Sequence, residues 1–230
     1  MSNYLHIKHQ DIMNRHASKE RWSEQLVNDE IHKGVWISAP PGTPPDPHIH
    51  PDFNEWWVVL DGKTKWQIGQ YEAVVGEWGD SIMAPAGFSH DIRPWEGEQC
   101  IRFGVSKPGG NHDIKGIKPC RFIPVESDIS NPNLIHTKFK TIKNHYGNED
   151  NWNHTAIEDE RNLGTYFHIT QGNEIQVEKQ DFFFLKKLCL LILEKKVYCF
   201  LQLVESLPVH WNLYSVHKPE IDFYSFLFEA

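Results

Sequence analysis

The sequence has few of the features that mark a disulfide-rich, secreted or membrane-spanning protein. Its four cysteines in 230 residues lack the close spacing of a zinc ribbon or a dithiol redox motif, so reduced thiols are the predicted state. The first residues contain no apolar stretch of the secretory type. The longest apolar run is far below the roughly 18 residues that a membrane-spanning helix needs. We therefore predict a cytoplasmic protein without a membrane span.

Several kinds of function also find no support in the sequence. The net charge is −8, which argues against a general attraction to nucleic acid or to anionic membranes. No G-x-S-x-G elbow, catalytic cysteine signature or phosphate-binding glycine loop occurs, and no helix-turn-helix is evident. With 40% hydrophobic residues the chain can bury a core.

The sequence contains two short motifs that together supply three histidines and one glutamate. In the first, His48 and His50 follow a proline-rich run, residues 40–47, that cannot be helical. Residues two apart on a strand share a face, so both imidazoles are predicted to point the same way. Glu55 then opens an aromatic and β-branched run that ends in Asp61-Gly62, a strong hairpin signal.

The second motif places a third histidine in a similar setting. Residues 79–80 predict a turn, residues 81–84 a short strand and residues 85–87 another turn, after which His90 begins an extended segment. Neutral imidazole and carboxylate ligands suit iron, manganese, nickel, copper or zinc. Three imidazoles and one carboxylate could therefore meet on one divalent ion.

Together the two motifs resemble those of the cupin superfamily, the small jelly-roll barrels. Residues 42–62 fit the pattern G-x5-H-x-H-x(3,4)-E-x6-G at every fixed position, and residues 79–94 fit G-x5-P-x-G-x2-H-x3-N except that Pro94 replaces the final asparagine. The resemblance implies an all-β cupin jelly-roll β-barrel of the quercetinase-like type. It implies one divalent transition metal, with iron or manganese favoured, on four ligands: His48, His50, Glu55 and His90. The polar residues at the start of the chain separately predict an N-terminal helical segment around residues 18–26.

The same resemblance suggests which side chains face the barrel interior. By the alternation typical of the family, the residues facing a bound substrate would be Trp57, Trp66, Ile68 and Ile92. The alternative is that the aromatic rings simply fill the barrel. The histidines and Glu55 could likewise be ordinary barrel residues, or could hold a purely structural ion.

Three functions stay open on this evidence. The first is a metal-dependent dioxygenase in which Glu55 takes a proton from the substrate. The second is a redox-neutral metal-dependent isomerase or lyase, and the third is a non-catalytic module that binds a small molecule. The resemblance also implies a small-molecule substrate and homodimer formation.

The chain also contains an internal repeat. Residues 5–42 match residues 135–172 at an offset of 130, with identities that include Trp22 with Trp152 and Gly34 with Gly164. This predicts a duplicated barrel, a degenerate bicupin, divided into a metal-binding barrel over 1–125, a linker and partial second repeat over 126–172, and an atypical apolar tail over 173–230.

The tail breaks the pattern because no glycine and none of the ligands recurs after residue 172. It is interpreted as a strongly altered half-barrel, a helical addition or an unrelated segment, and a reading-frame change in the coding sequence would also produce it.

Overall fold

The computed structural model describes residues 4–28, 30–70, 72–110, 129–149, 151–169, 187–193, 196–202 and 223–229. The chain divides into two compact units, one of residues 16–145 and the other of residues 1–15 and 146–230. Residues 111–128, which span the predicted boundary between barrel and linker, lie outside the described residues, as do residues 173–186 and 203–222 of the tail.

The structure is built mainly of strands. In chain order its elements are β1 (Tyr4–Lys8), α1 (His9–Arg15), β2 (Trp22–Asn28), β3 (Lys33–Ala39), β4 (His48–Ile49), β5 (Glu55–Asp61), β6 (Thr64–Ile68), β7 (Val74–Gly76), β8 (Ser81–Ala84), β9 (Ser89–Pro94), β10 (Cys100–Ser106), β11 (His136–Thr137), α2 (Phe139–Tyr146), β12 (Asn151–Glu158), β13 (Leu163–Ile169), β14 (Lys187–Leu193), β15 (Lys196–Gln202) and β16 (Phe223–Glu229). Neither helix has the length and apolar character that a membrane crossing by the described residues would need.

The unit of residues 16–145 consists of two antiparallel sheets. One has the strand order β11-β8-β5-β10-β3-β2 and the other β4-β9-β6-β7. Side chains from both sheets meet in one buried cluster: Trp57, Val59, Trp66, Ile68, Ile82, Ala84, Phe88 and Ile135. Two sheets that enclose a shared apolar interior form the jelly-roll barrel that the motifs predict, so the all-β fold class is confirmed.

One turn of this barrel requires a glycine. Gly62, after the hairpin residue Asp61, has a φ of 65°. A Cβ at that position would lie 2.1 Å from the carbonyl oxygen of Gln99, so the turn admits only glycine. This close approach joins the β5–β6 hairpin to the start of β10.

The other unit contains a single six-stranded antiparallel sheet with the order β1-β15-β14-β16-β13-β12. Strands β14, β15 and β16 come from the tail that the sequence left open. Every tail residue that the structure describes is in a strand, so these segments extend a β-sheet and do not form a helical addition.

The internal repeat is visible in the backbone. Adding 130 to the bounds of α1 and β3 gives residues 139–145 and 163–169, which match α2 and β13. The β2–β3 pair has a register shift between Gln25 and Val27, and the β12–β13 pair has one between Thr155 and Ile157. A bulge repeated at the same offset indicates that both repeats fold to one local plan.

The two repeats contribute their first strands to different units. Strand β1 pairs with β15 in the unit of residues 1–15 and 146–230, whereas the equivalent strand β11 pairs with β8 in the unit of residues 16–145. The unit of residues 1–15 and 146–230 therefore contains β1 and α1, which begin the first repeat. The unit of residues 16–145 contains β11 and nearly all of α2, which begin the second repeat.

The helix predicted around residues 18–26 is wrong. The N-terminal helix is α1, and Trp22 begins strand β2, which pairs with β3 from Trp22–Ser38 to Asn28–Lys33. Pairing to β3 buries Trp22, Leu26 and Val27, and this tertiary burial overrides the helical propensity of the polar residues among them. The barrel sheet consequently begins with β2.

Candidate metal centre

Three strands bring the four motif residues together. His48 and His90 are direct partners in the β4–β9 pair, and Glu55 is the first residue of β5. His50 follows β4 by one residue, and its carbonyl accepts a hydrogen bond of 2.7 Å from the backbone N–H of Gly87. The motif spacing thus becomes spatial proximity through short strands and one tight turn.

The candidate ligand atoms converge. One nitrogen from each histidine and one oxygen of Glu55 all lie within 4.8 Å of one another. Glu55 Oε2 is 2.8 Å from His50 Nε2 and 3.1 Å from His90 Nε2. It is 3.8 Å from His48 Nε2. A cation placed among these atoms would be surrounded by the nitrogen and oxygen donors that transition metals prefer.

Hydrogen bonds behind the rings fix two of the tautomers. His48 Nδ1 is 2.7 Å from the carbonyl oxygen of Asp46, and His90 Nδ1 is 3.3 Å from that of Phe88. Because a carbonyl oxygen only accepts, each Nδ1 donates, and in the neutral form of each ring the Nε2 atom would present a lone pair to the centre. These two Nε2 atoms are 3.0 Å apart, so they need a proton or a cation between them. The arrangement fits a metal ion.

A carboxylate on the neighbouring strand supports the loop that carries His48. The backbone N–H of Asp46 donates to Asp91 Oδ1 at 2.9 Å, and Asp91 is buried. Arg93 Nε donates to Asp91 Oδ2 at 2.6 Å. Asp91 therefore holds the peptide whose carbonyl orients the imidazole of His48.

The centre is buried but open on one side. The side chains of His50 and His90 are 2% and 1% exposed, whereas those of His48 and Glu55 are 10% and 16% exposed. A small molecule would approach past His48 and Glu55, since the opposite side is closed by the barrel interior.

The electrostatics keep the carboxylate charged. Although burial raises the pKa of Glu55, its interactions with His48, His50 and His90 lower that pKa well below its ordinary 4.5. Burial lowers the pKa of His48, but Glu55 and the carbonyl of Asp46 raise it above its ordinary 6.5. Near neutral pH the cluster thus contains an ionised carboxylate and an imidazole that readily takes a proton.

The four residues predicted to face a substrate surround this centre on its interior side. The rings of Trp57 and His90 lie 5.2 Å apart, and the ring of Trp66 lies 6.2 Å from that of Trp57. Ile68 pairs directly with His90 across β6 and β9, and the partly buried Ile92 packs on the same cluster. Trp66 and Ile68 are 0% and 1% exposed, so they wall the interior, and substrate contact by these four residues stays a prediction.

Sequence reasoning missed three residues near the centre. Phe53 stacks on His50 with ring centroids 4.3 Å apart, Asp91 supports the loop at Asp46, and Arg102 lies on β10. The motifs give no signal for Asp91 or Phe53. Arg102 could have been noticed as the one charged residue in a strand otherwise made of apolar and small side chains.

A separate cleft of about 520 Å³ lies elsewhere on the unit of residues 16–145. Its lining includes Lys63, Trp78 and Phe139 but none of the four clustered residues. The cleft is therefore not the entrance to the candidate metal centre.

Comparison with protein families gives one match. The model described as "Cupin domain" matches residues 35–101, a segment that contains all four clustered residues. No curated protein matches the chain.

Among solved structures, a point mutant of salicylate 1,2-dioxygenase from Pseudoaminobacter salicylatoxidans is similar over 99% of this chain and 84% of its own, with 8% identity and a TM-score of 0.62. A cupin 2 conserved barrel domain protein from Leptotrichia buccalis is similar over 91% of this chain and 88% of its own, with 9% identity and a TM-score of 0.52. A cupin-like protein from Thermotoga maritima is 23% identical over 38% of this chain and 68% of its own, with a TM-score of 0.35. The first two likenesses establish the fold alone.

Proposed function

Residues 35–101 of this chain are a cupin domain, and from that premise we propose that the barrel binds one divalent transition metal. The ligands would be His48, His50, Glu55 and His90, with iron or manganese as the first candidates. The observation that carries the proposal is the convergence of the Nε2 atoms of His48 and His90, which lie 3.0 Å apart with Glu55 beside them. Such a donor set fits a transition-metal cation.

We propose further that the loaded protein is a dioxygenase-type oxidoreductase that acts on a small molecule. When bound, a redox-active ion would supply Lewis-acid and electron-transfer chemistry to a substrate and to oxygen. The likeness to a salicylate dioxygenase concerns the fold, and it agrees with this class without selecting a substrate. A small-molecule substrate, a cytoplasmic location and homodimer formation are further proposals on the same footing.

The chain's own residues would have two roles. Glu55 would leave the ion to take a proton from the substrate, and its 16% exposed side chain is the most accessible of the four. Trp57, Trp66, Ile68 and Ile92 would keep water from the interior side of the centre and would offer an apolar surface to a planar substrate.

The decisive experiment identifies the metal and the use of oxygen together. The protein is purified anaerobically, its metal content is measured by elemental analysis, and oxygen uptake is followed with a panel of phenolic and enol substrates. Iron or manganese at one ion per chain together with oxygen uptake would support the proposal. Turnover without uptake would move the protein to the isomerase or lyase class, and tight binding without turnover would make it a binding module.

A further inference from the structure

The barrel interior contains a positive charge that the candidate metal centre does not use. Arg102 pairs across β10 with Val59 on β5 and with Ile37 on β3. Val59 belongs to the buried interior cluster, and paired residues in a sheet share a face. The side chain of Arg102 therefore lies on the interior face of the barrel.

The neighbour of Arg102 on the same face confirms this orientation. Gly104 pairs with Trp57, and a Cβ at Gly104 would lie 3.0 Å from Trp57 Cδ1 and 3.8 Å from Ile37 Cδ1. Trp57 in turn contacts the ring of His90. Arg102 is consequently two residues along β10 from the point where the indole of Trp57 meets the candidate metal centre.

Among the described residues, no carboxylate forms a salt bridge with the guanidinium of Arg102, although the charge of Glu55 favours its protonated form. Its hydrogen bond is from Nη1 to Cys100 Sγ at 3.6 Å, and sulfur is a weak acceptor. Its Nε is buried and has no hydrogen-bond partner in the described part of the chain. Burial lowers the pKa of Arg102, while Cys100 and Glu55 oppose that shift. A donor that is buried without an acceptor is unfavourable, and the Nε of Arg102 is such a donor.

The surroundings of Arg102 leave room for a partner. Trp57 and Val59 are 2% and 0% exposed, but Arg102, Val35 and Ile37 on the same face are only partly buried. On this face the side chains of β5 are fully buried, whereas Arg102, Val35 and Ile37 keep some exposed surface. A ligand in that space would contact aliphatic side chains and one guanidinium.

We propose that Arg102 binds the carboxylate of a small planar acid, which makes such acids the substrate class of the metal centre. The claim that such acids are the substrates rests on the proposed function. The claim that Arg102 binds their carboxylate rests on the arginine alone. The planar guanidinium presents parallel N–H donors that match the two oxygens of a carboxylate. The free Nε and the remaining Nη donors are the groups that would donate, and the apolar walls fit the ring of an aromatic acid.

The test compares benzoate with benzamide, two planar probes that differ in charge at one group. Affinities are measured by calorimetry on zinc-loaded and on metal-free protein at constant ionic strength. The wild-type protein is expected to bind benzoate at least about tenfold more tightly than benzamide in both forms. Arg102→Gln should bring the two affinities within about twofold, and Arg102→Lys should keep part of the preference.

The matched control is Arg21→Gln, which removes an exposed arginine of the same unit and should leave the preference at the wild-type level. Equal affinity of the wild-type protein for both probes would overturn the proposal, and so would a preference that Arg102→Gln retains. If Arg102→Gln retains the preference only in zinc-loaded protein, the carboxylate of benzoate binds the zinc ion and not Arg102, and the proposal is overturned. If Arg102→Gln does not fold, as judged by circular dichroism, the wild-type comparison and Arg102→Lys decide.

The two proposals fail separately. A protein that takes up no metal would end the proposed function, while the metal-free measurement would still decide the role of Arg102. A protein that loads metal but shows no preference for benzoate would leave the metal centre standing and remove the acid as its substrate class.

Discussion

His48 and His90 are direct partners across the β4–β9 pair, and their Nε2 atoms lie 3.0 Å apart while the proton of each ring is on Nδ1. Two lone pairs at this distance repel unless a positive charge lies between them. The strand pairing therefore imposes on the metal-free barrel an arrangement that an ion or a shared proton must satisfy.

Replacement of either histidine should remove one of the two facing Nε2 atoms and, with it, one metal ligand. We expect His48→Ala and His90→Ala each to reduce the metal content to about one tenth of the wild-type level or less, because the loss of a direct ligand should exceed the 10–100-fold effect of losing a supporting residue. Elemental analysis after identical loading measures the effect. The exposed His145, changed to alanine, is the control, and full loading of either ligand variant would show that the assignment is wrong.

The metal affinity should depend on pH in one direction. The pKa of His48 is raised above 6.5, so a proton competes with the ion until the pH exceeds that raised value. Below it, the affinity should fall by about tenfold for each unit of pH, since one proton must leave for each ion bound. A competition assay with a chromogenic chelator measures the slope. A flat profile across the same range would contradict the role of His48.

The metal-free protein should show a different pH dependence in its stability. The pKa of Glu55 is lowered below 4.5, so the stability that its ionised form contributes is present above 4.5 and is lost as the pH falls through the lowered pKa. The raised pKa of His48 contributes stability fully below 6.5, and this contribution is lost as the pH rises through that pKa. Thermal unfolding should therefore peak between these values. Glu55→Gln should remove the acid side of the peak, and an unchanged acid limb would refute the coupling.

The site could be predicted from sequence because its information is local. In an extended segment residues two apart point to the same face, which is the relation of His48 to His50. Turn residues precede the strands that contain Glu55 and His90. Arg102 was missed for a physical reason. Alternation along β10 puts the apolar residues at 101, 103 and 105 on one face, which suggests that Arg102 faces water. In this barrel both faces of the strand are covered, so alternation does not tell inside from outside.

The fold was predictable only where the pattern is repeated or local. The offset of 130 is also the spacing of α1 and α2, but it could not show which sheet receives β1 and which receives β11. Strand partners are chosen by tertiary packing, and two similar strands carry the same pairing signal. The helix expected around residues 18–26 failed for the same reason, because Trp22 is buried by pairing with β3.

Gly104 offers a test of the interior packing. A Cβ there would lie 3.0 Å from Trp57 Cδ1 and 3.1 Å from Trp57 Nε1, closer than ordinary contact. Gly104→Ala should force the indole to move and should destabilise the protein by about 1–3 kcal/mol. Chemical denaturation measures this change. The smaller ring of Trp57→Phe in a double variant should recover part of the loss, and additive effects would show that the two residues do not press on each other.

Asp91 connects strand β9 to the candidate metal centre through two successive hydrogen bonds. It accepts the N–H of Asp46 at 2.9 Å, and the carbonyl of Asp46 in turn accepts from His48 Nδ1 at 2.7 Å. Asp91→Ala would leave that N–H without its acceptor and free the ring of His48 to rotate, so the metal affinity should fall by about 10–100-fold while the four ligands remain present. Asp91→Asn keeps an oxygen at Oδ1 and should recover most of the affinity. If both variants lose the metal equally, the charge of Asp91 and not its hydrogen bond positions His48; if neither does, the loop orients His48 without Asp91.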